Sequence, residues 1–352
     1  MFIQRIFFAI MLTWMSVSMA YQIPISGAGK VINHATWVEQ KRPGFLPPMG
    51  FKRSADRGDV PVVDYAFQAV PANFNSAQQW SNCSYISAIQ NQARCGSCWA
   101  FGAVESVSDR FCIHKGEDVL LSFQDLVTCD QSDNGCQGGD AYTAMKFIQK
   151  KGIVSNDCLP YTIPTCAPAQ QPCLNFVDTP QCVEKCSNAS YTYAQDLHFI
   201  DGVYSMNPTV NAIQQEIMTN GPVEACFEVY EDFLGYKSGV YQHTTGKDLG
   251  GHCVKMIGWG TQNNELYWIC NNSWTTYWGN QGVFWIKAGV NECGIESDVV
   301  AAKFNELWLD LEGEDVLLSF QDLVTCDQSD NGCQENFGDA YTASSTTMSQ
   351  LC

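Results

Sequence analysis

Along the 352-residue chain the apolar positions change period part-way, from helical to alternating. Phe101, Val104, Val107 and Phe111 recur at steps of three and four, the spacing of one helix face, and Ser97 stands where a cap would open that helix at Cys98. A second helical stretch, 213–218, is stopped by Asn220-Gly221-Pro222. The pattern then turns β-like: segments 223–230, 253–259, 266–270 and 282–286 are short, rich in β-branched and aromatic residues, and divided by glycine and asparagine. Between Cys158 and Cys186 periodicity gives way to cysteine and proline, the mark of a stapled loop region. A helical half followed by a β half predicts an α+β protein with a cleft between two lobes.

The N-terminus changes this picture. Arg5 precedes an apolar run over 6–17, and Ser18-Met19-Ala20 offers small residues for cleavage, so 1–20 reads as a signal peptide too short to be a membrane span. No later segment is apolar for long enough to cross a bilayer. Residues 21–69 contain no cysteine and are broken by Pro43-Gly44, Pro47-Pro48 and Gly58, which suggests a pro-segment ahead of a body at 70–304. On a secretory route the 18 cysteines are expected to form disulfides. The remainder, 305–352, repeats residues 116–137 without change at 313–334 and is expected to be inert. Nineteen basic against 37 acidic residues leave a charge of −18, which repels nucleic acid and anionic membrane as main partners.

One constellation carries chemistry. In Gln92-Ala93-Arg94-Cys95-Gly96-Ser97-Cys98-Trp99 the second thiol falls at a helix N-terminus, where unpaired N–H groups and the helix dipole favour thiolate. A nucleophile needs a base. His252 follows Gly250-Gly251, which lets backbone approach closely, and Asn272 opens the turn after the next strand, placed to hold the imidazole tautomer. Trp274 would keep water from that hydrogen bond. Both lie further from Cys98 than the roughly 130–150 residues at which histidine and asparagine partners can follow a nucleophilic cysteine, so the 158–186 region reads as an insertion. Cys95-x-x-Cys98 also allows a redox dithiol or half of a zinc site. The zinc reading lacks a second pair, since Cys182 and Cys186 sit among prolines without a nearby histidine; the dithiol reading requires a free Cys95. No metal or cofactor is expected.

These residues, with Cys158-Leu-Pro-Tyr161, Gly239-Val-Tyr-Gln-His243, Asn272-Ser-Trp274 and Cys293-Gly-Ile-Glu-Ser297, resemble the papain-like cysteine proteases, most closely the cathepsin B subfamily, from about Val70 to Phe304. The resemblance implies a two-lobed papain-like fold and a monomeric endopeptidase. Its substrates would be peptides and proteins; it would be made as a zymogen inhibited by its own leader, for a lysosome, a vacuole or secretion. It implies Gln92 and the Cys98 amide as oxyanion donors, Gly138 and Gly139 as exposed backbone for substrate, and Cys253, Trp274 and Asp298 around the substrate. It further implies disulfides Cys83–Cys112, Cys95–Cys136, Cys129–Cys182, Cys158–Cys186 and Cys166–Cys173, leaving Cys226, Cys253, Cys270 and Cys293 unpaired. Two departures stand out. Ala93 and Arg94 replace the subfamily's Gly-Ser, and the loop Cys166-Ala-Pro-Ala-Gln-Gln-Pro-Cys173 lacks the paired histidines that hold a substrate's C-terminal carboxylate. A catalytically inactive, disulfide-stapled binding protein on the same fold is the alternative.

Overall fold

The structure, a computed structural model, describes residues 49–55, 57–165, 177–305, 308–311 and 314–317. The signal segment 1–20, the leader up to residue 48, the Cys166–Cys173 loop and the copied tail beyond 317 lie outside the described residues.

Two large hydrophobic cores organise the described chain. Strands β1 (Val62–Val63) and β2 (Phe74–Asn75) precede α1 (Ser76–Gln79), α2 (Cys98–Lys115), α3 (Phe123–Cys129) and α4 (Ala141–Lys151). After them come β3 (Gly202–Met206), α5 (Val210–Asn220), β4 (Val223–Tyr230), β5 (Val240–Tyr241), β6 (Asp248–Gln262), β7 (Glu265–Asn271), β8 (Val283–Lys287) and β9 (Val299–Lys303). A last hairpin pairs β10 (Trp308–Leu311) with β11 (Glu314–Leu317). The main sheet runs β1-β3-β9-β4-β6-β7-β8-β5, with β2 added to β6; β1–β3 and β5–β8 are parallel and the other pairs antiparallel. One core gathers Trp99, Phe101, Leu126, Met145 and Ile148 from the helical side; the other gathers Phe227, Phe233, Trp259, Trp268 and Phe284 from the sheet side.

Helix α2 is buried along most of its length, so its polar residues need internal partners. Ser106 returns its hydroxyl to the Gly102 carbonyl at 2.8 Å. Asp109 meets the buried Lys255 ammonium of β6 at 2.8 Å, and Arg110 pairs with Glu216 of α5 at 2.7 Å. The helix ends where Gly116 turns left-handed (φ 72°), its N–H reaching the Cys112 and Phe111 carbonyls. Side-chain ties thus fix α2 against both β6 and α5, and its N-terminus stays at the meeting of the cores.

Sequence periodicity finds α2, α5 and the cores of β4, β6, β7 and β8, and misses α3, α4, β3 and β9. Helices α3 and α4 have side-chain caps: Ser122 accepts from the Asp125 amide, and Asp140 from the Tyr142 and Thr143 amides. Strands β3 and β9 are five residues each and gain their pairing from one another, from β1 and from β4, all distant in sequence or outside any local pattern.

Candidate active site

Cys98 opens α2 and is fully buried. Ser97 occupies the N-cap position without a side-chain capping bond, because its hydroxyl meets the Tyr161 hydroxyl at 3.0 Å. The sequence expectation of a serine cap is corrected on that point. The first-turn donors therefore lack a side-chain acceptor from Ser97. Burial pushes the Cys98 thiol up to about 12, with Glu224 adding to this, while the backbone N–H groups of Cys253, Gly50 and Trp99 pull the other way.

His252 lies in β6, one residue before Cys253, whose backbone reaches the Cys98 sulfur. Its Nε2 is 2.8 Å from Asn272 Oδ1, and that same oxygen accepts the Ser273 amide at 2.8 Å. An atom that already accepts from an N–H is the amide oxygen, so the neutral ring carries its proton on Nε2. Nδ1 is left with a lone pair, and it is buried with no partner among the described residues. Trp274 lies over the ring at 4.8 Å and is 2% exposed. Burial holds the imidazole down to about 4, against the opposing pull of the Asn272 bond. Among the other described histidines, His114 stacks on Phe304, His198 packs against Phe111, and His243 is tied to Asp232.

Gln92 is brought to the same place from the loop before α2. Its Oε1 accepts from Ser273 Oγ at 2.6 Å, and its Nε2 donates to the Cys95 carbonyl at 2.9 Å. The next residue, Ala93, has φ 56°, in the left-handed region that favours glycine. An alanine side chain is strained in that conformation.

The cleft is occupied by the chain's own leader. Phe51 N–H donates to the Gly251 carbonyl at 2.9 Å, Lys52 N–H to the Gly139 carbonyl at 2.8 Å, and Gly139 N–H to the Gly50 carbonyl at 2.8 Å. One extended segment thus bridges both walls, antiparallel to Gly251 and parallel to Gly139. Gly50 lies so close over Gly96 that a β-carbon would stand 1.9 Å from its carbonyl oxygen. A β-carbon on Gly138 would in turn meet the Gly50 carbonyl at 2.7 Å, and one on Gly139 the Trp99 ring at 2.5 Å. Further on, Arg57 enters an acidic pocket. Its guanidinium grips Asp298 through two bonds of 2.9 and 3.0 Å and reaches Asp140 at 2.7 Å.

Sequence reasoning missed Arg57, Asp140 and Glu224 in this pocket. Asp140 looks like an ordinary helix cap, and one of its oxygens is; the other faces Arg57. Glu224 is fully buried in β4 with both oxygens unpartnered among the described residues. Burial, with Asp140 and Asp298 nearby, pushes its carboxyl well above the usual range. A glutamate early in the strand run Val223–Tyr230, flanked by Val223 and Ala225, was the available signal.

With this geometry in place, comparison with known proteins is decisive. The profile of the papain family cysteine proteases matches residues 70–303. The chain belongs to the papain family. Cathepsin B of Dictyostelium discoideum is 58% identical over 280 residues, 77% of this chain and 89% of the relative. A gut-specific cysteine proteinase of Caenorhabditis elegans is 48% identical over 246 residues, 67% of this chain and 74% of the relative. Among solved structures, procathepsin B S9 from Trypanosoma congolense superposes with a TM-score of 0.66 at 33% identity, covering 72% of this chain and 86% of its own. The protein is a papain-family cysteine peptidase of two-lobed α+β architecture, with a leader segment bound to the enzyme body.

Among the described residues the disulfides are Cys83–Cys112, Cys95–Cys136, Cys129–Cys182, Cys158–Cys186 and Cys226–Cys253. The last corrects the expectation that Cys226 and Cys253 are unpaired. Neither residue has a partner within its own strand, and only the register of β4 against β6 sets them directly opposite. Cys98, Cys270 and Cys293 are the free cysteines among the described residues. Bridging of Cys95 to Cys136 removes the dithiol reading, and bridging of Cys182 and Cys186 to other cysteines removes the zinc reading at that pair.

Proposed function

We propose that this peptidase is an endopeptidase made as a zymogen, with Cys98 as nucleophile and His252 as its base. The leader's backbone, hydrogen-bonded to Gly139 and Gly251 across the cleft beside Cys98, carries the reading. A groove that holds one extended polypeptide this way has the backbone donors and acceptors to hold a substrate. The unpaired Nδ1 of His252 takes the thiol proton, and the thiolate attacks the peptide carbonyl. The oxyanion is held by Gln92 and the Cys98 amide, a donor of this kind being worth about 2.7–4 kcal/mol. His252 protonates the leaving amine and then deprotonates the water that releases the acyl-enzyme. Asn272 holds the ring, and Trp274 shields that bond. Asp298 recognises a basic side chain beside the apolar ones the pocket accepts.

While Gly50 and Phe51 cover the site, burial keeps both thiol and imidazole neutral. Departure of the leader admits water, removes that penalty, and leaves the helix N-terminus to stabilise the thiolate. The leader around Gly50 and Phe51 is therefore both plug and electrostatic silencer, and the 70–304 body is the working enzyme.

Labelling with an epoxide thiol inhibitor tests the assignment. We expect one label per leader-free chain, none after Cys98→Ala, and none on the uncut chain. Turnover without labelling at Cys98 would sink it, and labelling without turnover would favour an inactive binding homologue. Peptides with free and amidated C-termini should be cleaved comparably; strong preference for the free carboxylate would refute the endopeptidase reading.

A further inference from the structure

Beyond the cleft, the leader makes a second set of contacts that catalysis does not need. Strand β1 forms the edge of the main sheet by lying parallel to β3, with Val62 opposite Ser205 and Val63 opposite Met206. The Ser205 amide donates to the Pro61 carbonyl at 2.8 Å and the Asn207 amide to the Val63 carbonyl at 2.9 Å. Asn207 Nδ2 donates to Asp64 at 2.7 Å. The chain then follows α5: Gln215 Nε2 donates to the Ala66 carbonyl at 2.9 Å and Asn211 Nδ2 to the Gln68 carbonyl at 2.8 Å.

Tyr65 is the centre of this set. Its hydroxyl donates to Glu216 Oε2 and accepts from Asn220 Nδ2 at 3.1 Å. Glu216 is fully buried, and its other oxygen is held by Arg110 and Tyr204, each at 2.7 Å. Burial alone would push the Glu216 carboxyl up; Arg110 and the two tyrosines overcome it and hold it low. A cavity of about 260 Å³ beside the tyrosine, lined by Val63, His114, Tyr204 and Phe304 among others, leaves room around the aromatic ring. Residues 50–57 contact Gly139, Gly251, Asp140 and Asp298 instead.

We infer that the edge of β3 together with α5 is a second peptide-binding site, separate from the catalytic cleft, which takes an extended segment presenting a tyrosine to Glu216. In the intact chain residues 61–68 occupy it. Once the chain is cut after that segment and the segment departs, β3 becomes an open sheet edge with its Ser205 and Asn207 donors free of backbone partners, which is the setting for strand addition. Glu216 Oε2 then keeps only Asn220 and favours any ligand that returns a hydroxyl. The site accordingly exchanges its cut 61–68 segment for a free copy of the same extended, tyrosine-bearing peptide.

The test uses the full-length Cys98→Ala chain, with a recognition sequence for an unrelated site-specific endopeptidase inserted between Gln68 and Ala69, so the outcome does not depend on the peptidase reading. The probe is a fluorescein-labelled peptide of residues 59–68, followed by anisotropy before and after the cut. A tethered segment competes at an effective concentration of about millimolar, so the probe should bind the cut chain at least tenfold more tightly than the uncut one. A Tyr65→Phe probe should bind the cut chain about tenfold more weakly, as expected for a lost hydrogen bond to a charged group. Equal binding to cut and uncut chains, or an undiminished Tyr65→Phe probe, would overturn the inference. Changing the peptide rather than the protein keeps a folding defect from mimicking either result.

Discussion

Arg57 of the leader and Asp298 of the enzyme body, 241 residues apart, are joined by two parallel N–H···O bonds. Their side chains are 7% and 6% exposed, so the pair is largely withdrawn from water. The leader thus sets a basic side chain between two buried acids, Asp298 and Asp140, and it does so at the end of a backbone that already bridges the cleft.

Truncating one partner of such a pair leaves the other carboxylates unpaired. Arg57→Ala in a synthetic peptide of residues 49–60 should raise its inhibition constant against the leader-free enzyme by about 30-fold or more, the equivalent of roughly 2 kcal/mol. Inhibition kinetics with a small peptide substrate measure this. An unchanged constant would mean that the Gly50–Lys52 backbone contacts alone hold the leader.

Asn272 is expected to act through His252. Asn272→Ala removes the bond that fixes the Nε2–H tautomer, and kcat should fall about 10- to 100-fold, in line with roughly 1.5–3 kcal/mol for a hydrogen bond to a group that becomes charged. KM should move little, because Asn272 is buried behind the ring. A loss confined to KM would contradict the positioning role.

The buried ionisable groups make the fold an acid-tolerant one. Burial raises Glu105 to about 8, helped by Asp109, and raises Asp133 to about 8, helped by Asp130. Folded-state values above unfolded ones mean the native chain binds these protons more tightly. Their contribution is complete below about pH 4.5 and is lost as pH rises through 8, on the order of 1 kcal/mol per group per pH unit. His114 and His252 are held down to about 4, chiefly by burial, so their contribution is present above about pH 6.5 and lost as pH falls through 4. Between pH 6.5 and 8 only the carboxyl effect operates. The thermal midpoint of the Cys98→Ala chain should therefore drop by several degrees across that window, given about 2–4 °C per kcal/mol at this size. A flat or rising midpoint would count against it.

The Cys226–Cys253 bridge closes a loop with a sequence separation of 27. Replacing both residues by alanine should cost about 3 kcal/mol, read from the denaturant midpoint. It should not abolish turnover, because β4 and β6 remain paired along eight residues of β4. A variant as stable as the parent would show that the ladder alone sets the register.

Much of the site was legible in the sequence because its residues sit in local contexts with their own physics. A thiol at the start of a run with helical spacing, glycines ahead of a histidine, and an asparagine opening a turn are all visible within a few residues. The pocket around Asp298 was only half legible. Arg57, Asp140 and Glu224 come from a leader, a helix cap and a strand interior, and no local pattern says that they face one another.

The sequence by itself determined the helix at Cys98, the β-rich second half and the papain-family membership, since periodicity and contiguous motifs encode these directly. Only the tertiary structure decided that Cys226 meets Cys253, that Arg57 reaches Asp298, and that β3 takes the leader as its edge strand. Identical residues make the difference plain: Glu-Asp-Val-Leu is irregular at 117–120 and a strand at Glu314–Leu317. Backbone conformation and long-range pairing are settled by which partner supplies the hydrogen bonds, and that partner is chosen by the fold as a whole.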